Sequence, residues 1–597
     1  MCGIAGIYNR HKNIIDKDLL INMTESITHR GPDEDGYFFY NNIGISHKRL
    51  SIIDLENGVQ PMVSENDNFI ISFNGEIYNY LELKEKLVSH GYSFKSNSDT
   101  EVLLIAYQCW GNKVFDMLNG EWAIAIFDKA KNQLLLSRDR YGIKPLYYSL
   151  VNENFYFSSE LKSFNENFDV ELDKQELWDF FVFGPKDGGN TIFKNINELR
   201  PGKLLTLNCN DFTIKSYYSL LESFNINNSK LDLDNIENLL LDSINKRLMS
   251  DVPLATINSG GIDSSLISSI AINNIDSDLY TFSVAPNKTG EKTLKGDESY
   301  FAEHLAKKIK SKHFTIRYSK KNFVDEIESC MIYNDDILFH SNSIPLSYMY
   351  EKIKKDYNIT VVLGGEGADE VFRGYSINRI ANLYSIFDKP ILKYIAIKIL
   401  KIKYPRLNLV SKYFKDSSFY LQLAIEQNMH MSPKLANKLL GINGLPSKDR
   451  IALITRASKL SKRNQLVYYE QKCYLSGLLQ RADRMSMRWG IEARVPFLDH
   501  RIVNYMNSIN NKKKSGVKEK KLKKILKHIS KKYIDSLIIN RPKYGFTSPL
   551  DEYKKDIFDK YSKHNKDTQS LNDLTSQEIL LIYNYQLLNL SKSKCKK

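Results

Sequence analysis

The chain has 597 residues, 42% of them hydrophobic, with 84 Lys and Arg against 70 Asp and Glu and a formal net charge of +14. That length exceeds one core and implies about two large domains, while the most apolar stretch, PILKYIAIKIL from Pro390, is broken by Lys393 and Lys398 and falls short of the roughly 18 residues of a membrane helix. Six scattered cysteines without a CxxC pair argue against a structural zinc site or a disulfide framework, so the chain is read as a cytoplasmic protein with no membrane partner.

The chain opens MCGIAG, with polar residues returning from Asn9, which is no secretory signal. Removal of the initiator Met would leave Cys2 carrying a thiol and an α-amine on one residue, a nucleophile beside a base that titrates near neutral pH. NFIISFNGEIYN reads as a strand that ends at an Asn74–Gly75 turn, followed by a helix over residues 80–89. GEWAIAIFDKAKNQLLLSRD reads as a hairpin turning at KAKN, so the first domain is expected to be β-rich and layered. The polar stretch SFNINNSKLDLDN, residues 223–235, marks the boundary.

Beyond it, PLATIN, YTFSVA and TVVL are short apolar runs suited to buried parallel strands, each followed by a loop and a helical pattern. This is the signature of a doubly wound α/β domain, whose ligands sit at the carboxyl ends of the strands. After the first run comes SGGIDSS, residues 259–265, opening an apolar helix: two glycines, several hydroxyls and a helix N-terminus make a phosphate cradle without the spacing of a Walker loop. After TVVL comes GGEGADEVFRGY, where Glu366, Asp369 and Glu370 crowd three carboxylates together, a pattern that suggests Mg²⁺ held against a polyphosphate. The positive excess lies mostly in residues 512–532 and in the tail SKSKCKK, without interleaved aromatics, and is read as solvated faces rather than a nucleic-acid surface.

SGGIDSS resembles the PP-loop of ATP pyrophosphatases, and MCGI with NGEIYN and SDTE resembles the class II glutamine amidotransferases. Both in this order, with GEGADE and RADRMSMRWGIEARVPFLDH, resemble the glutamine-hydrolysing asparagine synthetases from Cys2 to about Pro549. The resemblance implies an α/β protein: an N-terminal Ntn-type αββα sandwich over residues 2–215, a doubly wound PP-loop domain with added helices over 235–560, and a basic tail over 561–597. It implies glutamine, ATP with Mg²⁺, and aspartate or another small carboxylate as partners, and a homodimer.

At the first site the resemblance makes Cys2 the nucleophile and Asn74 and Gly75 the oxyanion donors. Arg49 would grip the glutamine carboxylate, Leu50, Ser51, Ile52 and Ile53 would line the pocket, and Glu76 and Asp99 would face the ammonium. RDRYGIKPLYY, from Arg138, is read as scaffold and wall toward the second domain. At the second site Ser259, Gly260, Gly261, Asp263 and Ser264 would hold pyrophosphate, and Ile257, Val284, Gly364 and Gly365 would contact adenosine. Glu366 is tied to adenylate formation, Asp263 and Asp369 to the metal, Glu298 is a further family carboxylate, and Lys523 or Lys543 supplies the catalytic lysine. Ammonia is expected to cross between the sites through a buried, mostly apolar passage.

Three positions depart from the family pattern: Gly364 stands for the usual serine, Arg373 for a frequent glycine, and Lys527 for arginine. They leave room for a second reading, the same chemistry on another carboxylate such as a uronic acid of a surface polysaccharide. A third, a PP-loop tRNA-modifying protein, follows from the basic balance and predicts salt-dependent RNA binding.

Overall fold

The computed structural model describes residues 2–11, 14–151, 153–226, 231–287, 297–384, 390–509, 522–541, 548–562 and 574–595. Lys543 lies outside the described residues.

In the first half two antiparallel sheets face each other. One runs, edge to edge, through Gly189–Asn190, Ile196–Glu198, Tyr147–Val151, Asn154–Ser158, Gly3–Asn9, Ile43–Arg49 and Glu34–Tyr40. The other runs through Phe212–Ser216, Lys203–Leu207, Gln133–Arg138, Gly120–Asp128, Phe69–Ile77 and Met62–Val63. Side chains alternate along a strand, and here both faces are apolar. Ile4 and Tyr8 point between the sheets toward Ile70, Ala123 and Leu134, whereas Ala5 and Ile7 face Leu20 and Met23 of the helix Lys17–Glu25. On the far side Phe73, Trp122 and Ile124 meet Leu83 and Leu103 of the helices Tyr80–Ser89 and Asp99–Trp110. The result is the expected αββα sandwich.

The hairpin turns at KAKN as expected, with Asp128 opposite Gln133. The Asn74–Gly75 turn does not form. The strand continues to Ile77, with Asn74 opposite Ala123 and Gly75 opposite Trp122. Glycine is required for a different reason: φ is +156°, and a Cβ there would lie 2.0 Å from the Glu121 carbonyl oxygen.

The second half is built on five parallel strands, Lys312–Tyr318, Tyr280–Pro286, Leu254–Ile257, Val361–Leu363 and Glu492–Arg494, in the chain order 3-2-1-4-5. Val361 and Leu363 pack toward Leu266 and Ile267 on one face, and Val362 joins Phe282 and Met349 on the other. Neighbouring strands Leu254–Ile257 and Val361–Leu363 form the switch point, so the crevice belongs beyond Ile257 and Leu363. Residues 561–597, read as a basic tail, include a helix at Ser576–Cys595 whose Leu580 and Leu581 are fully buried in the core.

Buried ion pairs join the two halves. The wholly buried Arg30 donates to Asp483 at 2.8 and 2.9 Å and to Glu160 at 2.7 Å. The RDRYGIKPLYY segment supplies scaffold and wall as expected. Asp139 accepts from the backbone of Tyr141, Gly142, Ile143 and Lys144, and Lys144 holds Glu121 at 2.9 Å, which in turn accepts from the Val495 N–H.

Candidate active site

Cys2 stands at the start of a central strand, 7% exposed, with its thiol directed at the Leu50 carbonyl oxygen 3.9 Å away. Its backbone nitrogen donates to Asn74 Oδ1 at 3.0 Å. That bond fixes the amide so that Asn74 Nδ2, buried, has no partner among the described residues. A buried donor without an acceptor costs about 1–3 kcal/mol unless a water or a ligand oxygen meets it. Burial pushes the Cys2 thiol up from its ordinary value, so it rests protonated and needs a base to become a nucleophile.

The cavity beside the thiol is lined by Cys2, Arg49, Leu50, Ile52, Ile53, Gly75, Glu76 and Asp99, which brings eight of the expected glutamine-site residues around one space. Ser51 and Asn74 are not in the lining: the Ser51 N–H is tied to Asp33 at 2.8 Å, and Asn74 is held on the Cys2 backbone nitrogen. Arg49 is held by Glu34 at 3.0 Å and by the carbonyls of Asp54 and Leu55 at 2.8 and 3.0 Å. Burial, and then the nearby Asp99, pushes Glu76 well above the carboxylate range; burial raises Asp99 to about 6. Glu76 Oε1 is buried and has no hydrogen-bond partner among the described residues.

A further ionisable residue in this lining was not anticipated. Glu492 comes from the edge strand of the parallel sheet, more than 400 positions along the chain. Burial acts to raise it, but Arg494 beside it wins and holds it at about 2, so Glu492 is the most strongly ionised carboxylate of the three. Arg494 also reaches Glu76 at 3.3 Å.

At the switch point the strand Leu254–Ile257 delivers the loop 259–265 onto the helix Ile262–Ala271. Gly260 has φ +68°, and a Cβ there would lie 2.7 Å from the Ala302 nitrogen. Asn258 pins the turn, donating to Ala302 O and accepting from Gly260 N, both at 3.0 Å. Ser264 Oγ accepts from Ser259 N at 3.1 Å, closing the cradle on itself. Ile257 and Val284 sit on neighbouring parallel strands, and Gly365 lies against Asp263, which a Cβ would approach to 3.3 Å.

Lys523, on the helix Leu522–Ser530, reaches Asp263 at 2.6 Å and Asp369 at 2.8 Å. The two expected metal ligands therefore converge on one point, where an ammonium now sits. Burial acts to lower Lys523, but the two carboxylates prevail and keep it protonated. Among the described residues no group of three or more His, Cys, Asp or Glu surrounds a single point. The donor set fits Mg²⁺, which takes one or two carboxylates and fills the remaining positions with phosphate oxygens and water.

The expected crowding of three carboxylates is not what forms. Successive residues of the short helix Ala368–Phe372 project in different directions, so Asp369 meets Lys523 while Glu370 turns inward to accept from Tyr375. Glu366 pairs with Arg481 at 3.2 Å. Gly364 leaves room for that carboxylate: a Cβ would come within 2.4 Å of Glu366 Oε2. Arg541, not singled out in the sequence, holds Glu298 at 2.7 Å beside the cradle and lies over the Phe301 ring. Lys527 is directed away, donating to the Ile539 carbonyl at 2.8 Å. A separate cavity of about 60 Å³ lies between the halves, with a mixed lining in which Ile143, Phe180, Pro185 and Ile192 stand beside the charged Arg138, Glu198, Asp483 and Arg484.

Comparison with known proteins agrees with this two-site arrangement. A glutamine amidotransferase domain model matches residues 1–218 and an asparagine synthase model matches residues 235–596. The chain is 32% identical over 94% of its length to asparagine synthetase [glutamine-hydrolyzing] 1 of Bacillus subtilis, covering 89% of that protein. It is 31% identical over 88% of its length to asparagine synthetase [glutamine-hydrolyzing] 3 of the same organism, covering 85% of it. A putative asparagine synthetase [glutamine-hydrolyzing] 2 of Methanocaldococcus jannaschii is 35% identical over 63% of this chain and 76% of its own. With the asparagine synthase model spanning more than half of its residues behind a glutamine amidotransferase domain, the chain belongs to the asparagine synthase family.

Proposed function

We propose that this enzyme makes asparagine from aspartate, using ATP and the amide nitrogen of glutamine. Residues 2–215 act as the glutaminase unit and 235–560 as the synthetase unit. After removal of Met1, Cys2 attacks the glutamine amide with its own α-amine as base, and Asn74 Nδ2 and the Gly75 N–H receive the oxyanion. Arg49 binds the glutamine carboxylate, and Glu76, Asp99 and Glu492 face the ammonium. The observation that carries this reading is the Cys2–Asn74 hydrogen bond, which ties to the nucleophile's residue a buried amide whose Nδ2 has no partner among the described residues.

At the crevice the 259–265 loop takes the pyrophosphate of ATP, with Ile257, Val284, Gly364 and Gly365 at the adenosine. Asp263 and Asp369 would hold Mg²⁺, which when bound offsets the phosphate charge. Lys523 then turns its ammonium to the phosphate and carboxylate oxygens. Glu366, oriented by Arg481, lies at the acyl side. The aspartate β-carboxylate displaces pyrophosphate to give the β-aspartyl-adenylate, and ammonia displaces AMP. The enzyme acts in the cytoplasm, as a homodimer.

Aspartate-dependent exchange of labelled pyrophosphate into ATP tests this reading. Exchange with aspartate supports it. Exchange with uronic acids alone would move the same chemistry to another acceptor.

A further inference from the structure

The helix Pro390–Lys403 is left out of both sites, and its apolar side faces solvent. Ile391, Ile395, Ile399 and Ile402 are 73, 46, 60 and 80% exposed, with Leu392 at 44%. Their spacing of three or four residues sets them in one stripe along the helix. The opposite side is the anchored one: Ala396 is buried, and Leu400 and Tyr404 pack on the main core. Lys398 and Lys401 flank the stripe on one side and Lys403 on the other, and from residue 390 to 415 there are seven Lys and Arg and no Asp or Glu. Among the described residues no helix is long and apolar enough to cross a membrane, and this one has 14 residues.

An apolar stripe rimmed by lysines, carried on a helix too short to span, matches the chemistry of a helix lying in the plane of an anionic lipid surface. On such a surface the isoleucines would enter the acyl boundary and the lysines would meet lipid phosphates. A second copy is the poorer occupant: in a two-fold contact the same patch meets itself, and this segment has no carboxylate to answer its own lysines. Against the sequence reading of no membrane partner, we infer that residues 390–403 form a peripheral docking surface for anionic membranes, holding the enzyme at a bilayer face without crossing it.

Sedimentation of the full-length enzyme with vesicles tests the inference. Binding is expected to vesicles of phosphatidylcholine and phosphatidylglycerol at three to one, weaker in high salt, and little to phosphatidylcholine alone. Both stripe positions of Ile395→Glu/Ile399→Glu are solvent-exposed, so the variant should fold and keep its synthetase activity. It should lose vesicle partition by about tenfold or more, as should Lys398→Glu/Lys401→Glu. Absence of binding to anionic vesicles, or binding that survives Ile395→Glu/Ile399→Glu, overturns the inference. So does gel filtration in which that variant turns a dimer into a monomer while the wild type ignores vesicles, because the stripe is then an interface between copies.

Discussion

The Arg494 guanidinium lies 3.3 Å from the Glu76 carboxylate across the boundary between the halves. Its own carbonyl accepts from the Gly364 N–H at 2.9 Å. One residue thus touches the glutamine pocket with its side chain and the start of the adenylation loop with its backbone. Beside it, Glu492 puts a charged carboxylate of the synthetase half into the glutaminase cavity. Glu492→Gln removes that charge and leaves the shape. A hydrogen bond to a charged group contributes about 1.5–3 kcal/mol, so KM for glutamine should rise about tenfold or more, with ammonia-dependent synthesis unchanged. Steady-state kinetics with each nitrogen donor checks this; an unchanged KM removes Glu492 from the site.

Asn74→Ala deletes the orphaned donor. The kcat of glutamine hydrolysis should fall about 10²–10³-fold, as for other single oxyanion donors, while ammonia still supports synthesis. Equal loss with both donors would mean that the substitution disrupts the fold instead.

Arg373 closes the helix Ala368–Phe372 with φ +55°, a left-handed conformation that costs an ordinary residue about 1–2 kcal/mol. Part of that cost is offset because glycine loses more freedom on folding. Arg373→Gly should therefore remove about 1 kcal/mol of backbone cost, while also removing the Arg373 charge that acts to lower the buried Glu470, so that the gain in Tm is largest at low pH, where Glu470 is protonated.

Glu470 is buried, and burial raises it to about 8 despite hydrogen bonds from Asn378 at 3.2 Å. An unfolded Glu titrates near 4.3, so the folded state holds its proton more tightly. The associated stability is present in full below about pH 4.3 and is lost as pH rises toward 8, by at most about 1.4 kcal/mol per pH unit. Glu470→Gln cannot ionise. Its Tm should match wild type near pH 4 and exceed it increasingly up to pH 8.

Local pattern carried much of this structure, and its limits are physical. SGGIDSS was legible because a phosphate cradle is made of neighbouring residues between a strand and its helix. The hairpin at KAKN and the parallel runs PLATIN and TVVL were legible for the same reason. The pair Asn74–Gly75 misled because Asn-Gly is the strongest short hairpin signal; here the glycine serves a close approach to the Glu121 carbonyl, which only the partner strand imposes. Glu492 and Arg494 lie on a three-residue polar strand, defined by its pairing with Val361–Leu363 and not by periodicity. Arg541 acquires its place only where the chain returns to Glu298.

The central claim is that two chemistries in one chain are joined by ammonia released at Cys2. The direct measurement is asparagine and pyrophosphate formation from aspartate and Mg²⁺-ATP, with glutamine or with ammonia, in wild type and Cys2→Ala. Wild type should form both products with either nitrogen source, and Cys2→Ala should form them only with ammonia. Asparagine formed by Cys2→Ala from glutamine, or no asparagine from wild type with either source, would contradict the account.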